Sequence, residues 1–301
     1  MNDDLPFYLD KNLIKESFNR AATSYDEAAV LQREVGKRLL ERLDLVKLVP
    51  ATILDVGCGT GIITIPLLKK YRKANVIGLD IAYNMLTIAR KRVPWLRTLH
   101  CLCGDAEALP LVDSSCELLI SNLTLQWCAD LDRVFREFQR VLKPGGLLLF
   151  TTLGPDTLIE LRRSWEAADG YKHVNTFIDM HDIGDALVRA ALAEPVMDME
   201  YITLTYKDIF TLMRDLKTLG AHNLSAGRAH GLTGKGRLKA MCAAYEKFRR
   251  TDGRLPATYE VVYGHAWGSQ QLLSSRRSDG VAVFPLSQLR RHDSSRLQGG
   301  T

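Results

Sequence analysis

Apolar positions change period several times along the chain. In the first fifty residues they recur at helical spacing: Phe18, Ala21, Ala22 and Tyr25 share one face, and Val30-Leu31 through Leu39-Leu40 and Leu43 form another. Short apolar runs then alternate with helical ones. Strands are predicted over 53–56, 76–79, 98–103, 116–121 and 147–152, and helices over 62–71, 84–92 and 131–142. Lys143-Pro144-Gly145-Gly146 stops the last of these helices, because proline lacks the N–H a helix needs. This alternation predicts a parallel, doubly wound α/β sheet that binds ligands beyond the carboxyl ends of its strands. After Thr152 the rhythm changes, with helices expected over 157–168, 181–193, 209–219 and 237–250 and strands over 199–205 and 258–264. The stretch between those two strands is too long for a simple connection and predicts a helical cap. The expected organisation is an N-terminal helical cap over 1–50, an α/β core over 51–205, a helical insert over 206–256, a last core strand over 257–268 and a disordered tail over 269–301.

With 301 residues, 46% hydrophobic and 25% charged, the chain can bury one substantial core. No apolar run approaches bilayer length, and Met1-Asn2-Asp3-Asp4 lacks the basic-then-apolar order of a signal peptide. The six cysteines show no metal-ligand spacing and demand no disulfide, so a reducing cytoplasm is expected and no metal. Net charge is +5 but uneven: from Lys207 to Arg254 eleven bases face four acids, a surplus of seven. Such a surplus can steer an acidic partner, or can simply be solvated helix surface. No amphipathic membrane-facing segment stands out, and contact with neither nucleic acid nor membrane is expected.

The most informative stretch is Ile53-Leu54-Asp55-Val56-Gly57-Cys58-Gly59-Thr60-Gly61, with Asp80 at the end of the next strand. Closely spaced glycines let backbone approach a ligand, and the helix that follows offers free N–H groups. An acid about twenty residues on is placed to accept both hydroxyls of a ribose. Glycine spacing here is G-x-G-x-G, not the G-x-G-x-x-G of nicotinamide and flavin binders. With Asp55 before the turn, the stretch resembles motif I of class I S-adenosylmethionine methyltransferases. That resemblance implies a Rossmann-like class I methyltransferase sheet with N-terminal helices and a helical insert before the last strand. It also implies S-adenosylmethionine as cofactor, with Asp55, Gly57, Cys58, Gly59 and Gly61 around its methionyl part and Asp80 and Ile81 at the ribose. Gly104-Asp105-Ala106 is similar to the family segment that meets adenine, and an acceptor-only carboxylate at Asp105 suits an amino group. Asn122 is grouped with these cofactor contacts.

The fourth strand ends Ser121-Asn122-Leu123-Thr124-Leu125-Gln126-Trp127, unlike the Asn-Pro-Pro-Tyr pattern of amino-nitrogen methylation. No carboxylate or histidine in this run stands as a base, which fits an acceptor already ionised, such as a carboxylic acid of pKa near 4. Positioning alone then supplies catalysis, worth roughly 7–11 kcal/mol. Gln126 and Trp127 offer neutral N–H donors for orienting it, or are buried helix-start residues.

The runs Phe18-Asn19-Arg20-Ala21-Ala22-Thr23-Ser24-Tyr25-Asp26, Ser121 to Cys128, Phe150-Thr151-Thr152-Leu153, and Leu216-Lys217 with Gly220-Ala221 and Gly227-Arg228 resemble the malonyl-[acyl-carrier protein] O-methyltransferases of biotin synthesis. The resemblance covers about residues 12 to 268. It implies methyl transfer to the free carboxylate of a malonyl thioester, masking its charge for elongation. On that footing Arg228 pairs with the malonyl carboxylate, Tyr25 closes over cofactor and acceptor, and the basic insert meets acidic acyl-carrier protein. Arg162, Tyr263 and Trp267 also fit a sister group, assembly factors of respiratory complex I, in which the same fold serves a folding complex or hydroxylates a protein arginine. That is the alternative reading.

Overall fold

The computed structural model describes residues 10–169, 171, 173–221 and 234–269. Three helices open it: α1 (Lys11–Ala21), α2 (Tyr25–Ala28) and α3 (Val30–Asp44). The side chain of Asp10 starts α1 by accepting the N–H groups of Asn12 and Leu13. Then come β1 (Thr52–Val56), α4 (Thr64–Lys70), β2 (Asn75–Asp80), α5 (Tyr83–Lys91), β3 (Leu99–Cys103), β4 (Cys116–Asn122), α6 (Leu131–Val141) and β5 (Leu142–Leu153). The rest is α7 (Ile159–Glu166), α8 (Met180–Arg189), β6 (Ala193–Tyr206), α9 (Ile209–Thr218), α10 (Lys235–Tyr245) and β7 (Leu255–Trp267).

The seven strands form one sheet in the order β3-β2-β1-β4-β5-β7-β6. The expectation of a parallel sheet holds for β1 to β5 but not at the far edge. There β7 runs antiparallel to both β5 and β6. The alternation of side chains across the sheet explains why both faces carry helices. Ile53, Leu118, Ile120, Leu147 and Leu149 enter one core with α3 and α4, while Leu54, Leu119, Leu148 and Phe150 enter the other with α6 and α8. Helix α6 buries Leu131, Val134, Phe135, Phe138 and Val141, the i, i+3, i+4, i+7 stripe of an amphipathic helix. Phe135 lies tilted 5.5 Å from Phe150 across that second core.

Three boundaries differ from the sequence-based expectation. β5 begins at Leu142, inside the expected helix stop, because Gly145 N–H donates to Gly268 and Gly268 N–H donates to Gly146, at 2.7 and 2.8 Å. β6 begins at Ala193, where a helix was expected, because that half-exposed edge strand pairs with β7 along its length. β7 begins at Leu255, two residues inside the expected insert. The tail beyond Ser269 and residues 222–233 of the insert lie outside the described residues. Among the described residues no helix is long and apolar enough to cross a membrane.

A Cβ at Gly264 would stand 2.2 Å from the Phe150 ring, its neighbour in the β5–β7 register. Gly264→Ala is therefore expected to destabilise the chain by about 1–3 kcal/mol through overpacking. The midpoint and slope of urea unfolding check this.

Candidate active site

Strand order reverses between β1 and β4, and the loops leaving the carboxyl ends of β1, β2, β3 and β4 surround one large cavity. Its empty volume is about 1370 Å³, part of it open to solvent.

The glycine turn forms its floor. Gly57 N–H and Cys58 N–H both donate to the Leu79 carbonyl, at 2.7 and 3.0 Å, which ties the end of β1 to the end of β2. Gly57 has φ +73°, and a Cβ there would come within 2.0 Å of the Thr124 hydroxyl oxygen, so no other residue fits. At Gly59 (φ +53°) a Cβ would meet nothing within 4 Å, because the backbone there faces the open cavity. Gly59 N–H instead donates to Asp80 Oδ2 at 2.9 Å, and Ala82 N–H donates to Asp80 Oδ1 at 2.8 Å. Asp80 is only 8% exposed, and burial pushes its carboxyl up to about 6.

The N-terminal helices close the opposite wall. Lys11 Nζ reaches Asp105 at 2.5 Å and the buried Glu107 at 2.6 Å, pinning the start of α1 to the loop after β3. Asn84 donates from its backbone N–H and its side-chain amide to Asn19. Asp26, on α2, accepts the Thr60 hydroxyl at 2.7 Å and pairs with Arg92. Tyr25 thereby lines the cavity, and burial together with the Asp80 charge pushes its phenol above the usual range.

At the far end Leu123 takes φ +51°, a conformation that costs a bulky residue about 1–3 kcal/mol. Its N–H is held by the Thr151 carbonyl at 3.1 Å and the Thr151 hydroxyl at 2.9 Å. Asn122 receives the Thr151 hydroxyl and donates to the Gln32 carbonyl. Gln126 Nε2 donates to the Leu123 carbonyl at 2.7 Å, leaving its second N–H. Trp127 stands edge-on to Phe18 of α1, centroids 5.3 Å apart. Beyond these residues the cavity continues past Leu153, Thr157, Phe177, Tyr206, Asp215 and Tyr259, contributed by β5, β6, β7, α9 and the loops flanking α7.

Of the residues singled out from sequence, Tyr25, Gly57, Gly59, Asp80, Ile81, Asp105, Ala106, Asn122, Gln126 and Trp127 line this one cavity. Asp55, Cys58 and Gly61 do not. Asp55 is 1% exposed beneath the turn, accepts the Thr64 hydroxyl at 2.5 Å, and is pushed up to about 7 by burial. Cys58 packs against Gly78, and Gly61 (φ +89°) lets α4 approach Ala89. Arg228 lies outside the described residues. Arg162 donates to the Thr157 carbonyl, and the Tyr263 hydroxyl donates to Glu200 at 2.6 Å, so both serve internal contacts. Sequence reasoning missed Lys11 and Arg92, which no local motif marks, and gave no role to Asp26 and Thr151 within the runs that carry the resemblance, since each acts on a loop distant in sequence.

The charged side chains among the described lining are Lys11, Asp80, Asp105 and Asp215, a net negative set. It suits a ligand carrying positive charge, and open backbone at Gly59 with a carboxylate at Asp80 suits a nucleoside. S-adenosylmethionine fits both requirements.

Residues 54–150 match the family model described as a methyltransferase domain. A malonyl-[acyl-carrier protein] O-methyltransferase of Methylovorus sp. is 55% identical over 270 residues, covering 88% of this chain and 91% of the relative. One from Gallionella capsiferriformans is 52% identical, covering 93% and 98%. The chain belongs to the malonyl-[acyl-carrier protein] O-methyltransferase family. Family membership agrees with the fold. The YcgJ protein from Bacillus subtilis superposes with a TM-score of 0.54 at 16% identity, covering 77% of this chain and 98% of that one. Phosphoethanolamine N-methyltransferase 2 of Haemonchus contortus, solved with S-adenosyl-L-methionine, gives 0.50 at 16%, covering 84% and 57%.

Asp55 and Asp80 keep a proton in the folded chain where the unfolded chain has lost it, so folding takes up protons. The stability that these two carboxyls contribute in the ligand-free protein is expected to fall as pH rises from 3.8 towards about 7, so Asp55→Asn is expected to gain stability relative to the wild type across that range. Thermal midpoints across that range check the sign. Lys11→Met leaves Glu107 buried without its cation and is expected to weaken S-adenosylmethionine binding by about tenfold, measured by calorimetry.

Proposed function

We propose that this chain transfers a methyl group from S-adenosylmethionine to the free carboxylate of a malonyl thioester carried on acyl-carrier protein, giving the methyl ester that starts pimeloyl formation in biotin synthesis. The observation that carries this reading is identity above 50% to malonyl-[acyl-carrier protein] O-methyltransferases along nearly the whole chain, insert included. The expected setting is the cytoplasm.

When bound, S-adenosylmethionine supplies a methyl group activated by a sulfonium. Gly57, Gly59, Asp80 and Ile81 would hold its ribose and methionyl parts, and Asp105 and Ala106 its adenine. A malonyl carboxylate oxygen attacks that methyl carbon. The C–O bond forms as the C–S bond breaks, S-adenosylhomocysteine departs, and no proton moves. Tyr25, Gln126 and Trp127 therefore need only orient the acceptor and exclude water. An anion entering a cavity whose described carboxylates outnumber its single lysine requires a further cation. Arg228, in the basic insert over 206–256, is the residue we assign to it, and its neighbours are assigned to the acidic carrier.

Incubating the protein with S-adenosylmethionine and malonyl-carrier protein is expected to give a carrier heavier by one methyl group in the mass spectrum. An unchanged carrier mass, in protein that binds the cofactor, refutes the reading. Arg228→Lys is expected to raise KM for the malonyl carrier by about tenfold or more, since a point charge replaces a two-pronged contact. An unchanged KM and kcat removes Arg228 from the site.

A further inference from the structure

The end of the sheet opposite the cavity carries a surface that methyl transfer does not use. From Gly61 to Gly104 there are eight bases and one acid, and that acid is Asp80, inside the cavity. Several of these bases gather where three loops enter the amino ends of β1, β2 and β3. The loops touch. Asn75 N–H donates to the Ala51 carbonyl at 2.8 Å, Arg97 donates to the carbonyls of Tyr71 and Arg72, and Lys70 pairs with Asp44. Lys47, Lys69, Lys70, Arg72, Lys73 and Arg97 therefore gather at this end, where the nearby acids are Asp44, paired with Lys70, and Glu117, which accepts Thr52 N–H and pairs with Lys143. Among the described residues only Lys70 of these six pairs with a carboxylate.

The same loops hold the chain's most exposed large apolar side chains. Among the described residues four exceed 80% exposure: Leu45 at 85%, Val49 at 95%, Trp95 at 91% and Leu96 at 84%. All four are here. Leu96 is at φ +68°, a left-handed conformation unusual for so bulky a residue, at the tip of its loop.

We propose that this face is a docking surface for an anionic lipid membrane. Isolated apolar tips set among cations suit a fluid interface, where Trp and Leu bury in the headgroup region while Lys and Arg meet lipid phosphates. The six residues of β2 separate this face from Asp80 by about 17–20 Å, so docking here leaves the cavity mouth at the other end free. For the same reason a carrier delivering its thioester to the cavity would not sit here. A scan of contiguous segments does not register such a face, because it is assembled from three short loops.

Flotation of the full chain with vesicles tests this, using phosphatidylcholine alone or with about one-third phosphatidylglycerol. Binding is expected only to the anionic vesicles and is lost at high salt. Both Arg72→Gln/Lys73→Gln and Trp95→Ser/Leu96→Ser are expected to weaken it, the charge pair by about thirtyfold. Neither pair touches the cavity, so unchanged thermal midpoints and S-adenosylmethionine binding show that the variants are folded. No flotation of the wild type, or flotation that the variants leave unaltered, overturns the proposal. Retention by acyl-carrier protein instead, lost in the same variants, assigns the face to a protein and equally overturns it.

Discussion

The Asp80 carboxylate is the fixed point of the site. Its two oxygens take the N–H groups of Gly59 and Ala82, so one side chain ties the turn after β1 to the start of α5. Those bonds stabilise the anion while burial opposes it, and burial prevails enough to lift the carboxyl to about 6. A polar group held this far out of water gains from further hydrogen-bond partners, of the kind the hydroxyls of a nucleoside offer. Everything nearby is arranged around that need. Gly57 has no room for a side chain, Gly59 faces open space, and Tyr25 on the cap adds a phenol beside the carboxylate. The ligand-free site stores a desolvation cost that cofactor binding relieves.

The cap is fastened differently from the core. Beneath it, apolar packing among β1, β4, β5 and α6 is continuous and buried. Over the cavity, α1 and α2 are held by polar clasps at Lys11, Asn19 and Asp26 and by the Ser17 hydroxyl on the Gly220 carbonyl, with Phe18 against Trp127 as an aromatic contact. Partly exposed ion pairs contribute about 0–1 kcal/mol each. Apolar packing adds to these clasps, with Phe18, Ala22 and Tyr25 clustered against Ala82, Met85 and Ile88.

Much of this was legible in the sequence, for identifiable reasons. The glycine turn and Asp80 signal themselves because backbone geometry permits few residues there, and the strands β1, β2, β4 and β5 signal themselves through buried apolar runs. Where burial is one-sided the signal fades: β6 mixes Glu194, Asp198 and Glu200 with its apolar residues, and its pairing with β7 runs from Ala193 to Tyr206. The antiparallel sense of β7 is invisible to periodicity, which reads strands and not directions. Asp55 illustrates a different limit. Its place in the motif is plain, but only the structure shows it turned beneath the loop to Thr64 and away from the cavity. The clasps of the cap join residues up to 203 positions apart and leave no local pattern.

Charge orders the two substrates. Asp80, Asp105 and Asp215 line the cavity against Lys11 alone among the described residues, and Lys11 is already engaged by Asp105 and Glu107. An empty cavity of that sign repels a malonyl carboxylate and attracts a sulfonium with its ammonium. Once the cationic donor is in place, the balance at the acceptor end shifts towards neutrality, and the attacking oxygen meets the positive charge it is to quench. Neutral groups at Gln126 and Trp127 can orient that oxygen without adding to the charge around it.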